Sequence, residues 1–180
     1  VKEESGPSPA ATINTVEPNA TVTISGFTAA PTTGYNITHR RIYRTIVGAT
    51  TVTYNFVAEI PIATASYADT LSVTQLGGEL PSLFWSPPPA DLKGLVAMPN
   101  GILVGFKGNQ IWFSEPYYPH AWPENYMLTV DYPIVGLGVY QQTLVVLTTR
   151  YPYLISGVSP SSMSQQKLPI PHPCMSKRSI

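Results

Sequence analysis

The sequence is poor in cysteine and in charged residues. Its 180 residues contain a single cysteine, Cys174, which excludes an intrachain disulfide and a cysteine-rich zinc site. Only 11% of the residues are charged, and the ten Lys and Arg residues balance the ten Asp and Glu residues. The chain therefore lacks the basic excess that nucleic-acid-binding proteins use against phosphates. A surface with so little charge is poorly suited to solvent, so we expect partners to cover much of it.

Long apolar runs and targeting signals are also missing. No run of 18 apolar residues occurs, so no membrane span is expected. The best stretch, Ile134 to Leu147, is interrupted by Gly136, Gly138 and a pair of glutamines. The first ten residues lack the apolar core of a signal peptide, and the chain does not begin with Met. We therefore expect an internal piece of a longer protein.

No window shows the apolar spacing of a helix, whereas Thr, Val, Ile and Tyr are abundant. The sequence therefore predicts an all-β chain. All three tryptophans lie beyond residue 80, and Gly77-Gly78 followed by Pro87-Pro88-Pro89 predicts a hinge and a polyproline stretch. We predict a β-sandwich module over residues 1–76, a Gly/Pro-rich linker over 77–91 and a second domain over 92–180.

Four short strands are predicted in the first module. Polar and apolar residues alternate over residues 20–25 and 37–44, and strand-forming residues dominate 52–60 and 65–69. Turn signals recur about every ten residues, a spacing typical of a small sandwich.

This module resembles a fibronectin type III-like domain. The resemblance is carried by Arg41–Thr45, Phe56–Ile60 and Ser66–Thr70, and it covers about half of the module well. The usual last strand has no counterpart, because the chain passes directly into Leu80-Pro81. The resemblance therefore implies an incomplete or strand-borrowing sandwich.

The second domain contains an ungapped internal repeat. Gly94–Phe106 aligns with Gly136–Thr148, and Gln110–Ser114 aligns with Pro152–Ser156, at an offset of 42 residues. This offset lies within the range of four-stranded propeller blades, and each unit is predicted to contain a meander of three strands. We therefore predict about two propeller-like blades over residues 92–180, as part of an incomplete or truncated propeller.

The turn signals of the two repeat units differ. Asn100-Gly101 is a strong hairpin signal, and Lys107–Asn109 favours a second turn. Gln141-Gln142 replaces the first of these dipeptides in the second unit and is a poorer turn sequence. The second hairpin is therefore less well specified.

The stretch Gly108–Pro123, with the sequence GNQIWFSEPYYPHAWP, looks like a segment of bacteriophage virion proteins. It is similar to the tail hub or nozzle (tail tubular) proteins of short-tailed phages, which pair a propeller with small β-domains. Leu92–Gly101, Tyr132–Gly136 and Cys174–Ile180 support the same match.

The resemblance implies a structural protein of the virion, located in the phage tail, that forms an oligomeric ring contributing to the DNA-ejection conduit. More blades would follow residue 180. The implied partners are copies of the chain itself and other tail or portal/adaptor proteins, with transient passage of DNA. The resemblance implies neither enzymatic activity nor a cofactor.

Candidate contact residues lie in the proline-rich loop after the third strand of the first repeat unit. Tyr117, Tyr118, His120 and Trp122 combine rigid aromatic rings, which suit binding surfaces. They are candidates for contact with a neighbouring subunit or with a receptor such as a host glycan. Alternatively, the loop folds over its own blade and Trp122 fills the core. The alternative function is a receptor- or carbohydrate-binding module of a tail fibre or surface adhesin.

A small basic patch is predicted on one strand of the first module. Arg40, Arg41 and Arg44 follow His39 and are candidate lumen or phosphate contacts. Three charges provide little affinity for DNA at physiological salt, so a solvated or interfacial strand face is the alternative.

The sequence gives little support for a catalytic site or a metal site. Glu115, Glu124 and Asp131 lie near several aromatic residues, and a glycosidase needs two carboxylates at a set separation. Closeness in sequence alone is weak evidence for such a pair. The three histidines are spread along the chain, so no metal site is expected. No catalytic or cofactor-binding residue is assigned.

Overall fold

The computed structural model describes residues 3–13, 20–46 and 52–176. Within these ranges the regular structure consists of β-strands and three single turns of 3-10 helix, so the chain is all-β, as predicted. None of the described helices is long and apolar enough to cross a bilayer. The end of the Cys174–Ile180 stretch, from residue 177 onward, lies outside the described residues.

The chain forms two compact units. We call residues 8–81 the small unit, and residues 1–7 together with 82–180 the large unit. The chain passes between the units twice, after Pro7 and after Pro81. The segment 77–91, predicted as a linker, is divided: its first five residues belong to the small unit and the rest to the large unit.

The small unit contains the four predicted strands. They form two antiparallel pairs, β1 with β4 and β2 with β3. Ile42, Val57 and Ile60 are buried and pack with Ile24 and Tyr67 from the other pair, so side chains of both pairs share one core. The strands are β1 (Val22–Ser25), β2 (His39–Thr45), β3 (Tyr54–Pro61) and β4 (Ser66–Asp69), followed by a 3-10 turn at Val73–Gln75.

The segment predicted as a glycine hinge is paired with β3. Phe56 N–H donates to Gly78 O at 2.9 Å, and Gly77 N–H donates to Phe56 O at 2.8 Å. Leu80 N–H donates to Tyr54 O at 2.8 Å, and Asn55 forms a bridge with Glu79. No regular strand forms in the place of the usual last strand, but this segment adds backbone hydrogen bonds and one isolated bridge to the edge of β3. Glycine suits position 77 because Gly77 lies directly against the Phe56 side chain.

The large unit contains two four-stranded antiparallel meanders in which consecutive strands pair. The predicted three-strand units are present, and each gains a fourth strand, β8 or β12. The strands are β5 (Lys93–Ala97), β6 (Leu103–Lys107), β7 (Gln110–Phe113), β8 (Leu128–Thr129), β9 (Ile134–Tyr140), β10 (Thr143–Thr148), β11 (Tyr153–Ser156) and β12 (Ser164–Lys167), with 3-10 turns at Glu124–Tyr126 and Pro160–Ser162.

The two meanders share one hydrophobic core, and the repeat places equivalent residues within it. Ile102 and its repeat partner Leu144 are fully buried, as are Val104 and Val146. β5 and β9, the first strands of the two meanders, lie next to each other. The apolar runs of the sequence therefore mark strands whose side chains fill the space between the two sheets.

The hairpins differ in how they turn. β5 and β6 are joined through Pro99, Asn100 and Gly101, and Gly101 has a φ of +77°. β9 and β10 are joined by Gln141 and Gln142 alone, and Gln141 has a φ of +55°. The second hairpin forms although a residue with a Cβ occupies the left-handed position, which favours glycine.

Strand direction gives the large unit two chemically different ends. We call the end with the β5–β6, β9–β10 and β11–β12 turns the aromatic end, and the opposite end the basic end. Asn100 Nδ2 donates to Val158 O at 3.3 Å across the aromatic end. Lys167 and Asp131 pair at 2.8 Å across the basic end. The Lys and Arg residues in the described part of the large unit all belong to the basic end: Lys93, Lys107, Arg150 and Lys167.

Candidate functional site: the aromatic loop and the N-terminal strap

A proline-rich loop leaves β7 at the aromatic end of the large unit. We call residues 114–123 the aromatic loop. Its backbone folds back on itself, because Glu115 N–H donates to Ala121 O at 2.8 Å and Ala121 N–H donates to Tyr118 O at 3.0 Å. Ser114 N–H donates to Leu103 O at 2.8 Å and ties the start of the loop to β6. The loop is therefore a compact structure fixed to the first meander.

Trp122 is the buried anchor of this loop. Its side chain is 1% exposed, and its indole Nε1–H donates to Pro119 O at 2.9 Å. Its backbone N–H donates to Ser86 O at 2.8 Å. The prediction that Trp122 contacts a subunit or receptor is therefore wrong, since a partner cannot reach the ring. The ring is buried, as the alternative expected, although it lies outside the shared core of the two meanders.

Tyr117 is the most exposed aromatic side chain of the loop. It is 78% exposed and has a φ of +65°, a left-handed conformation that costs a residue with a Cβ about 1–2 kcal/mol. Its N–H donates to Gly101 O at 2.9 Å, and its ring lies against the Gly101 backbone. The loop thus holds an exposed tyrosine in a fixed, strained position on the β5–β6 turn.

Three rings form a cluster beside Tyr117. Trp85 and Tyr118 have ring centroids 4.8 Å apart, and His120 lies 5.6 Å from Trp85 and 6.0 Å from Tyr118 in edge-on geometry. Tyr118 is 38% exposed, and the other two rings are half-buried. The structure therefore brings together three of the four predicted contact residues near the surface and adds Trp85 to them.

An N-terminal segment lies on this cluster. We call residues 3–7 the strap. His120 Nε2 lies 3.0 Å from the backbone oxygen of Glu4, so the protonated nitrogen donates to it. Gly6 lies so close to the backbone oxygen of Trp85 that a side chain at this position would collide with it. Sequence reasoning missed this contact, because its partners are 116 residues apart and the strap carries no motif.

Two of the three carboxylates considered for a glycosidase, Glu115 and Asp131, accept hydrogen bonds from tyrosine hydroxyls. Glu115 Oε2 accepts from the Tyr126 hydroxyl at 2.8 Å. Burial, followed by this hydrogen bond, raises the pKa of Tyr126 to about 12. Asp131 lies beyond the other end of β7, which spans about 13 Å, whereas paired glycosidase carboxyls are about 5–10 Å apart. Glu124 is exposed at the start of a 3-10 turn.

The basic end carries a cluster that the sequence did not indicate. Asp131 accepts hydrogen bonds from Lys167 Nζ and the Tyr153 hydroxyl, both at 2.8 Å. The bond from Lys167 is the largest cause that holds the pKa of Asp131 below its ordinary value. Lys167 Nζ also lies 5.0 Å from the ring centroid of Tyr132 and 4.7 Å from that of Tyr151. Pairing of β11 with β12 creates this cluster, and no spacing in the sequence signals it.

The three arginines of β2 are used inside the small unit. Arg40 donates to Ile62 O at 2.6 Å and to Thr28 O at 2.8 Å. Arg44 forms an ion pair at 2.7 Å with Asp69, whose side chain is 4% exposed, and donates to Leu71 O at 2.7 Å.

Arg41 pairs with Glu59 at 3.0 Å. Contact of these arginines with phosphate or a DNA lumen stays a prediction. The guanidinium groups of Arg40 and Arg44 fasten β2 to other segments of the small unit, and that of Arg41 pairs with a side chain of β3.

Metal-ligating groups are dispersed. The described residues contain no group of three or more His, Cys, Asp or Glu side chains that could hold a metal ion. His39 lies 3.0 Å from the Thr38 hydroxyl, and Cys174 donates its thiol to Ser176 O at 3.3 Å.

The amino-acid sequence matches no protein-family model, and a search of curated proteins finds no match.

Proposed function

We propose that this chain is a structural, non-catalytic component of a bacteriophage tail, of the hub or nozzle type, whose copies assemble into a ring around the path of the DNA. The observation that carries the proposal is the 42-residue repeat, which folds into two equivalent four-stranded meanders with a shared core. Repeated four-stranded sheets are the units of propellers, which need four or more blades to close. Two such units supply at most half of a closed propeller, so a complete propeller needs further units of the same kind.

The arrangement of β5 and β9, the first strands of the two meanders, supports the proposal that the meanders are propeller blades. β5 and β9 lie side by side, as the innermost strands of neighbouring blades do. Leu95 on β5 is 60% exposed, which leaves apolar surface along this inner edge. We propose that the small unit is the fibronectin type III-like module that accompanies the blades. Its two strand pairs share a core, and its last segment adds to β3.

The low charge of the chain supports assembly. Only 11% of its residues are charged, and the aromatic end of the large unit exposes Tyr117 at 78%, Tyr140 at 69% and Val158 at 89%. Exposed apolar side chains grouped at one end are typical of surfaces that partners cover. We propose that this end contacts neighbouring copies or other tail or portal/adaptor proteins.

Purified virus particles test the proposal. Peptides of this chain are quantified by mass spectrometry against a known capsid peptide in particles and in the supernatant of lysed cells. We expect a fixed number of copies per particle, above one and below that of the capsid protein. Presence in the supernatant together with absence from particles would overturn the tail assignment.

The exposed tyrosines also favour a second candidate, a receptor- or carbohydrate-binding module of a fibre or adhesin. Tyr117 and Tyr118 present rings on which a sugar could stack. A glycan array probed with the unmodified chain and with the Tyr117→Ala variant would separate the two candidate functions. Trp122→Ala is unsuitable, because loss of this buried ring would disturb the loop itself.

A further inference from the structure

We propose that the cleft formed by Trp85, Tyr118 and His120 is a peptide-binding site, and that its occupant in the assembled protein is the strap of a second copy. The inference deepens the proposed function and rests on it for the existence of an assembly. It assigns one specific contact between copies, in which residues 3–7 of each copy lie on the aromatic cluster of its neighbour.

The strap contacts the aromatic cluster of its own chain. The contact uses the backbone oxygen of Glu4, which lies 3.0 Å from His120 Nε2. Gly6 lies against the backbone of Trp85, where no side chain fits. Pro7 follows Gly6 and disfavours a helical conformation at the preceding residue. The cleft therefore selects an extended segment with glycine at one position, a requirement that a particular peptide can satisfy.

The strap has enough chain behind it to reach a neighbour. Residues 8–13 are exposed and form no helix or strand, and the first strand of the small unit begins at Val22. The 14 residues from 8 to 21 can span up to about 46 Å when extended. A segment that docks in its own chain at the end of such a connection can make identical contacts in a second copy.

Exchange of the strap requires no new interface. The strap makes the same contacts within a copy and between copies. The balance between the two forms therefore depends on the local concentration of neighbouring copies. A ring holds neighbouring copies at fixed short distances and so favours the exchanged form. The site also lies beside Tyr117, at the exposed aromatic end of the large unit.

The full-length Gly6→Val variant provides the test, since a valine side chain would collide with Trp85 and leave the cleft vacant. A labelled peptide of residues 1–10, VKEESGPSPA, is titrated onto this variant and followed by fluorescence anisotropy. We expect saturable binding, weakened about tenfold or more when the peptide itself carries Gly6→Val. Ser5→Ala in the peptide is the matched control, because Ser5 is exposed, and it should bind as the unmodified peptide does.

Sedimentation velocity of the full chain completes the test. We expect concentration-dependent association of the unmodified chain and of Ser5→Ala, and its loss in Gly6→Val. Circular dichroism must show that Gly6→Val retains its fold. Failure of the peptide to bind, or equal association of Gly6→Val and the unmodified chain, would overturn strap exchange and leave ring assembly standing. An unmodified chain that remains monomeric would overturn both strap exchange and ring assembly.

Discussion

The ring of Tyr117 lies on the backbone of Gly101, so that a Cβ at Gly101 would come within 2.5 Å of the ring carbon Cε1. Gly101→Ala should therefore destabilise the large unit through both the left-handed φ of this residue and the collision with the ring. We expect a loss of about 2–3 kcal/mol in the free energy of unfolding, measured by denaturant titration.

Gly108→Ala is the matched control for this variant. Gly108 has a φ of +62°, but open space surrounds its position, so only the backbone cost of about 1 kcal/mol should appear. Equal losses in the two variants would show that Tyr117 does not rest on Gly101.

The ion pair between Arg44 and Asp69 should matter more than that between Arg41 and Glu59. Asp69 is buried, so Arg44→Leu would leave a carboxylate without its charged partner inside the small unit. We expect Arg44→Leu to cost about 2–3 kcal/mol of stability, and Arg41→Leu, in a partly exposed pair, less than about 1 kcal/mol. Thermal unfolding of both variants measures the difference. An Arg44→Leu variant as stable as Arg41→Leu would contradict the structural role of Arg44.

The β9–β10 hairpin should become more stable with glycine at its first turn position. Gln141 occupies the left-handed region with a φ of +55°, where glycine meets no steric cost. We expect Gln141→Gly to raise the free energy of unfolding by about 0.5–1 kcal/mol. Gln142→Gly is the control and should not stabilise, because Gln142 has no left-handed φ to relieve. A gain from Gln142→Gly alone would mean that the turn has a different conformation.

Stability should fall at alkaline pH through Tyr126. Its pKa is raised from 10.0 to about 12, which means that folding favours the protonated hydroxyl bonded to Glu115. This contribution is fully present below pH 10 and is lost as the pH rises through about 12. The stability of the unmodified chain relative to Tyr126→Phe should therefore decline between these pH values. Tyr140→Phe, which removes a hydroxyl at an exposed position, is the control variant and is measured over the same pH range.

The strands were predictable because their signals are local. Strand-forming residues dominate 52–60 and mark β3, which the structure places at Tyr54–Pro61. The repeat was equally predictable, because residues that fill one core must be apolar at matching positions. Val104 and its repeat partner Val146, for example, are both fully buried. The fourth strands were missed, because β8 contains two residues and β12 is exposed along its whole length.

The site residues were harder to predict, because their partners lie far along the chain. The backbone N–H of Trp122 donates to the backbone oxygen of Ser86, a partner that lies far away in the sequence. In the sequence, the arginines of β2 form a cluster of basic residues. Only the structure shows that Asp69 and the backbone oxygen of Leu71 lie beside Arg44. Composition and spacing carry no information on such pairings, which depend on how the sheets stack.

Native mass spectrometry of the full chain across micromolar concentrations tests the central claim, self-assembly, most directly. The account predicts a discrete closed multiple of the 19.6 kDa chain, with few intermediate species at high concentration. A single species at 19.6 kDa over the whole range would contradict ring formation through the surfaces of this chain.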